Sequence, residues 1–518
     1  MTDHAGTIHA FMEWLASSVF YQPGNPVLFT GTFFICFFAL FFVFYALAGQ
    51  TERGRTWVIL AFSLWFYYKC SGWFVLVILA SGMLNYLAAL RITSCSGPGA
   101  TRRWLTAGVL GNLALLLMFK NTAFFIQFAN QFSSGQLTIG TILFPAGISF
   151  YTFANLSYLF DVKKGALVPE HSMVRYLAYI TFFPVVQMGP IERAKNFLPQ
   201  LSLPYRLSRE DIAEGFFLIL SGALKKMVIG DYVNLHLVSQ VFSTPERYTG
   251  MENLAALLGY SLVIYCDFSG YTDMGRGIAR WMGFNIQVNF NLPYRSESIG
   301  EFWRRWHISL SNWLRDYLFL PLAFRLSRML KKEYLIRGKY LRNDLLIFNI
   351  SSLVTFTVCG LWHGFGWNFM IWGLMHGAAL ATQRTWSYST KAFRKKRGPV
   401  FRKSGKIAGS LLTFLFVTFS WVFFRMSTPA GSFTVLTQIA TNFYVRGFMV
   451  FLEAYYAVLL MIMTGYLLHY VPVNITDEIR KRLIPLSWPW KAVIAICMVT
   501  LILFFKSQGP AMPIYIRF

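Results

Sequence analysis

His307 lies in Trp303-Arg304-Arg305-Trp306-His307-Ile308-Ser309-Leu310-Ser311, and His363 lies in Gly360-Leu361-Trp362-His363-Gly364, which closes an apolar run beginning at Leu345. An ionisable side chain at membrane depth is expensive and marks a functional position by default. Burial in a low dielectric disfavours the charged form, so an imidazole there is expected to be neutral and available as a general base. Such a base can take the proton of an acceptor hydroxyl as it attacks a thioester, an effect of roughly 10² to 10⁴ in rate. The chain has no Gly-x-Ser-x-Gly elbow, phosphate loop or nucleotide fingerprint. Acyl transfer with histidine as base is the economical assignment, and histidine as direct nucleophile stays open.

The elements that must position these residues are membrane helices. Of 518 residues, 55% are hydrophobic, 18% aromatic and only 13% charged, and the mean hydropathy is +0.47. That is more apolar surface than a water-soluble core of this length would use. Runs able to cross roughly 30 Å of hydrocarbon, about 20 residues each, fall near 27–48, 57–70, 73–90, 104–119, 142–160, 173–189, 213–229, 254–268, 345–362, 365–383, 407–425, 449–471 and 490–505. Several are short or carry Pro and polar groups, which predicts re-entrant or tilted segments among about 10–12 true spans. The expected fold is an all-α integral membrane protein, with residues 1–518 forming a single polytopic membrane domain.

Lys and Arg outnumber Asp and Glu by 47 to 22, a net charge of +25. In a soluble protein this would suggest nucleic acid; here the positive-inside rule accounts for it, and no nucleic-acid partner is expected. Arg384–Lys406 is rich in Lys and Arg with no acidic residue, and 325–342 is similarly basic, so both are expected on the cytoplasmic side. A basic face there also suits an acidic carrier protein or anionic lipid. With no Lys or Arg before Arg53, an outside N-terminus is expected, and the first apolar run does not resemble a secretory signal. The six cysteines are scattered singly and suggest neither a disulfide framework nor a zinc site; Cys359, one turn before His363, reads as a small buried hydrophobe.

The segment Phe284–Tyr294 holds three Asn and no helical period, so it reads as an irregular loop. Ser298 followed by Glu301 then resembles a helix N-cap. That start predicts His307 in the third turn of a helix, with Arg304, His307, Ser311 and Arg315 on one polar stripe. An interfacial helix with Trp at the headgroups and snorkelling Arg is the alternative for this segment alone. His363 sits at the apex of an apolar hairpin whose arms lead back to basic segments, which places it toward the outer part of the membrane. His307 lies nearer the cytoplasmic side, an offset suited to passing a group from an inside donor to an outside acceptor.

The run from Phe302 to Leu318 and the Gly360–Gly364 box resemble the membrane-bound O-acyltransferase family, in its bacterial branch of alginate O-acetylation and teichoic-acid D-alanylation membrane proteins. Phe144–Phe153, Phe183–Arg193 and Tyr265–Met274 support the likeness, which runs over 140–385 as a catalytic core. The resemblance implies tilted helices around a central tunnel joining the two membrane faces. It implies that His363 matches the family's essential histidine and His307 the second one. It further implies a bacterial inner-membrane, multi-pass location and no bound cofactor, with acetyl-CoA or an acyl carrier protein as thioester cosubstrate. The expected partners are a cytoplasmic donor or carrier, an extracytoplasmic polysaccharide-modifying transferase and membrane lipids. The chain length and the Pro513–Phe518 tail look more like the polysaccharide-acetylating members, whereas the basic insert at 325–342 departs from them.

Trp362, Asn312, Ser311, Arg315, Asp316, Ser149 and Tyr151 are candidates to line a tunnel or substrate path, although Ser149, Tyr151, Thr152 and Asn155 also suit packing between helices. Asp273 with Arg276 or Arg280 has ion-pair spacing. His376 lacks a catalytic box and reads as a core histidine; His4, His9, His171, His236 and His469 carry no functional expectation. The reading that results is an O-acyltransferase moving an acyl group, foremost acetyl, from a cytoplasmic thioester to an extracytoplasmic polysaccharide. Its alternatives are D-alanyl or longer-acyl transfer to an envelope polymer or lipid, and a non-enzymatic proton-coupled transporter.

Overall fold

A computed structural model describes residues 19–22, 26–49, 51–122, 126, 130, 132, 145–331, 340–395 and 398–505. Phe144, Lys396, Arg397, His4, His9, the middle of the basic insert (332–339) and the 513–518 tail lie outside them. Among the described residues the chain is 82% helical and has no strand. Among those residues six helical stretches are long and apolar enough to cross a membrane: Glu52–Ser94, Gly250–Trp281, Asp344–His363, Pro399–Arg425, Val445–His469 and Trp488–Phe505. Glu52–Ser94, at 43 residues, is long enough for two crossings, and other apolar runs fold into shorter or more polar helices. Ile148–Lys163 has 16 residues, and the 173–189 run breaks at Phe182 ahead of Pro184 into Met173–Thr181 and Phe183–Val186. Pro98–Lys120 and Trp367–Ser389 carry buried Asn112, Asn368 and His376.

The described residues form two compact units. One takes in the chain up to Ile219 together with Tyr271–Gln287; the other takes in Leu220–Gly270 and the chain from Val288. In the first unit Val75–Ser94 packs against Pro98–Lys120 and Ile148–Lys163. Lipid provides no hydrophobic drive between helices, so amides supply the adhesion. Asn85 and Asn112 exchange hydrogen bonds of 3.2 and 2.7 Å. Asn155 donates to Ser81 at 3.0 Å and accepts from the Tyr176 hydroxyl at 2.7 Å, which is the interhelical packing role expected of it.

In the second unit the hairpin Tyr340–His363 and Trp367–Ser389 is the closest helix pair. Its arms meet backbone to backbone: a Cβ on Gly360 would collide with the Phe369 carbonyl oxygen, and one on Gly373 with the Phe356 carbonyl oxygen. Pro399–Arg425 packs on the return arm, completing the wall behind His363. Val445–His469 and Trp488–Phe505 turn much of their apolar surface outward, as lipid contact requires, while Val458, Ile462, Gly465 and His469 of the first are buried.

Candidate active site

The helix that begins at Ser298 is capped as its sequence predicts, with the Ser298 hydroxyl accepting the Glu301 N–H at 3.3 Å. The Glu301 carboxylate reaches back to the Glu297 N–H at 2.9 Å and pairs with Arg305 at 2.8 Å. This helix then stops at Arg305. Trp306 is extended, His307 adopts the left-handed conformation at φ 40° and ψ 55°, and a new helix runs over Ile308–Leu314. His307 is therefore not in a third helical turn, and the expected Arg304-His307-Ser311-Arg315 stripe does not form. Hydrogen bonds from the loop cause the break: Asn291 N–H donates to the Arg305 carbonyl at 2.9 Å, and Ile308 N–H donates to the Asn289 carbonyl at 2.9 Å. These partners replace the in-helix ones across residues 305–308. Among the described residues, His307 and Leu292 (φ 46°) are the non-glycine positions with positive φ, both on this pair of segments. Local strain of about 1–3 kcal/mol per residue is found where surrounding structure over-determines the backbone, commonly at functional sites.

The His307 ring is 1% exposed. Its Nδ1 lies 3.1 Å from Asn289 Oδ1, which also faces the Ser309 N–H at 3.2 Å and the Ser309 hydroxyl at 2.8 Å. Phe268 meets the ring edge-on at 4.8 Å and Phe290 lies at 6.5 Å. Burial pushes the imidazole down to about 3, so it is neutral at physiological pH.

His363 ends the first hairpin arm, 4% exposed, in an aromatic box. Trp362 lies 4.4 Å from it, Phe424 4.8 Å at 76°, Trp372 5.3 Å at 89° and Phe369 6.3 Å, all between ring centroids. A chain of rings links the two histidine segments: Trp306 stands 5.1 Å from Trp421, which lies 5.4 Å from Phe424. The site thus holds two buried imidazoles in a setting that excludes bulk water. Neutral imidazole in such surroundings can accept a proton and return it. Among the described residues, no three His, Cys, Asp or Glu side chains assemble as a metal-ligand set.

The other candidate lining residues are placed as follows. The Ser311 hydroxyl donates to the Trp306 carbonyl at 3.1 Å, bracing the helix break. Asn312 is half-buried on the short helix after it. Arg315, with 58% of its side chain exposed, pairs with Asp316 at 2.9 Å in a π-turn over Arg315–Phe319. Ser149 and Tyr151 are buried in the first unit, whereas both site histidines belong to the second. Asp273 pairs with Arg276 at 3.2 Å, and Arg280 turns instead to Asp211 at 2.8 Å.

Two features of the second unit were not read from sequence. Asn289 appeared there merely as one of three loop asparagines, with no local signal of its bond to a residue 18 positions on. Lys226 holds Asp231 and Asp267 at 2.6 Å each, an almost fully buried charge cluster beside a π-turn at Leu224–Gly230. A lysine pair inside the apolar run 213–229 was the available signal for it.

A family model for membrane-bound O-acyltransferases matches residues 34–334, more than half of the chain and inclusive of His307. The chain belongs to the membrane-bound O-acyltransferase family. It is 32% identical to the peptidoglycan O-acetyltransferase of Helicobacter pylori over 81% of this chain and 80% of that one. It is 35% identical to a probable alginate O-acetylase of Pseudomonas aeruginosa over 76% and 71% of the two chains. The teichoic acid D-alanyltransferase of Bacillus subtilis is 30% identical over 54% of this chain and 68% of its own. This membrane-bound O-acyltransferase is accordingly an enzyme and a multi-pass membrane protein, which sets the transporter reading aside.

Proposed function

We propose that this O-acyltransferase acetylates a cell-envelope polysaccharide from the bacterial inner membrane. It draws acetyl from a cytoplasmic thioester, acetyl-CoA or an acyl carrier protein, and passes it to the outer face, where a partner transferase completes the transfer. The observation that carries the acetyl assignment is the extent of likeness. Two relatives named for O-acetylation align over 81% and 76% of this chain, against 54% for the D-alanyltransferase.

In this reading His363 is the base. Its imidazole takes the acceptor hydroxyl proton as the oxygen attacks the thioester carbonyl carbon. The C–S bond breaks, and the imidazolium returns its proton to the departing thiolate, so no net charge remains in the low dielectric. His307 is the second catalytic histidine, nearer the donor. The aromatic box around His363 supports the assignment, because it keeps water from competing for the thioester.

The test is mass spectrometry of groups released by mild alkali from envelope polymers of wild type, a deletion strain, His363→Ala and His307→Ala at matched membrane abundance. Loss of acetate in the deletion and in His363→Ala is expected. Loss of D-alanine instead would favour the reading that the D-alanyltransferase relative supports. Unchanged ester content in every strain would overturn polymer acylation.

A further inference from the structure

Asn289 meets His307 in a way that determines where the imidazole proton sits. A backbone N–H is a donor and nothing else, so the amide atom that faces Ser309 N–H at 3.2 Å must be the oxygen. Turning the amide over would set its NH₂ against that N–H, donor against donor. The Ser309 hydroxyl at 2.8 Å is compatible with the same orientation, since it can donate to the oxygen. His307 Nδ1, 3.1 Å from that oxygen, can then make a hydrogen bond solely as a donor. In a neutral imidazole one nitrogen carries the proton and the other the lone pair. The proton is on Nδ1 and the lone pair on Nε2.

We propose that Asn289 is a positioning residue that holds His307 in its Nδ1–H form, so that Nε2 is the nitrogen that accepts a proton or a hydrogen bond during acyl transfer. The consequence for catalysis rests on the O-acyltransfer reading above; the tautomer itself does not. The backbone serves the same end. The Asn289 carbonyl takes the Ile308 N–H at 2.9 Å, so one residue grips both the main chain after His307 and its ring. That double grip holds both the left-handed His307 backbone and its ring in place.

An amide in this role has a physical logic. In serine-hydrolase triads a carboxylate orients the imidazole and stabilises the imidazolium that forms. Here the ring is 1% exposed and sits between Phe268 and Phe290. A carboxylate among phenylalanines could accept the same Nδ1–H bond, but at a cost in stability for burying it. A neutral amide orients the ring without that cost, and Nε2 can accept a proton or a hydrogen bond and release it again while Nδ1–H stays bonded to Asn289.

Nitrogen magnetic resonance of the full-length protein in lipid bilayers, with its eight histidine rings labelled, separates protonated from unprotonated ring nitrogens without any substrate. Subtracting the spectrum of His307→Ala isolates the His307 pair. A protonated Nδ1 and a bare Nε2 are expected, and Asn289→Leu should abolish that preference. The reverse pattern in wild type overturns the proposal, as does an unchanged tautomer in Asn289→Leu. Ester content of the envelope is read in parallel. Asn289→Leu should lower it about 10- to 100-fold, as loss of the partner that orients a metal-bound histidine does, and Asn289→Asp, which still accepts from Nδ1–H, should recover most of the loss. Full ester content in Asn289→Leu, or no recovery in Asn289→Asp at matched folding, overturns the positioning role. Unchanged ester content in His307→Ala defeats the acyl-transfer reading instead, and the tautomer measurement stands apart from that result.

Discussion

His307 and His376 are buried alike in the second unit, 1% and 0% exposed, and carry their protons on opposite nitrogens. At His376 the indole N–H of Trp303 donates to Nδ1 at 3.3 Å, so Nδ1 holds the lone pair and Nε2 the proton. That proton goes to the Ser420 hydroxyl at 3.0 Å, and Ser420 donates onward to the Val417 carbonyl at 2.7 Å. Both ring nitrogens are used up in fixed bonds among Phe302, Phe356, Phe416 and Trp372. At His307 the fixed partner is an acceptor, which leaves the basic nitrogen as the one turned from its anchor. Burial is common to the two rings; the type of the first partner decides which nitrogen carries the proton and which the lone pair.

The sharpest way to break this comparison is to delete each ring and read activity per folded molecule. His307→Ala should reduce acyl transfer by roughly 10² to 10⁴, the range of general acid–base catalysis. His376→Leu should leave the turnover of folded enzyme nearly intact, and an equal loss in the two variants would dissolve the distinction. The effect of His376→Leu belongs to stability: it strands the Trp303 N–H, a cost of about 1–3 kcal/mol that a thermal unfolding midpoint in detergent would register. Ser420→Ala removes a single partner from the same chain and should cost less, about 1 kcal/mol, without changing the ester released. The smallest expected effect is a pH response that does not occur. With His307 held down to about 3 by burial, the part of the activity that depends on its neutral ring is kept above that value and lost as pH falls through it. Between about pH 5 and pH 8 no limb of the rate profile should vanish on comparing wild type with His307→Gln residual activity. A limb near the ordinary histidine range that depends on His307 would show that water reaches the ring.

The two histidine boxes were legible because their residue types are anomalous where they stand: an imidazole beside tryptophans at the end of an apolar run announces itself. The Ser298 cap and the hairpin apex at His363 were legible for a related reason, since capping and chain reversal are local events written in adjacent residues. The break at Trp306–His307 was not. From Arg304 to Arg315 the polar residues recur with a helical period, and nothing nearby opposes the helix. What ends it is a loop many residues earlier, whose Asn289 and Asn291 capture backbone groups that a continuous helix would have used internally. Arg280 makes the same point in the first unit. Asp273 lies at ion-pair spacing on its own helix, yet Asp211 from another helix takes it at 2.8 Å.

Composition and apolar run length by themselves settled that this chain is a helical membrane protein, because transfer of apolar surface and satisfaction of backbone hydrogen bonds in lipid depend on residue type and length alone. The unusual placement of two imidazoles likewise marked the candidate site without any fold. Tertiary structure alone decided that His307 leaves its helix, that Asn289 is its anchor, and that Lys226 gathers Asp231 and Asp267. Hydrogen bonds and ion pairs act over about 3 Å. Which donor comes within that distance of which acceptor is known only once distant segments have been packed together.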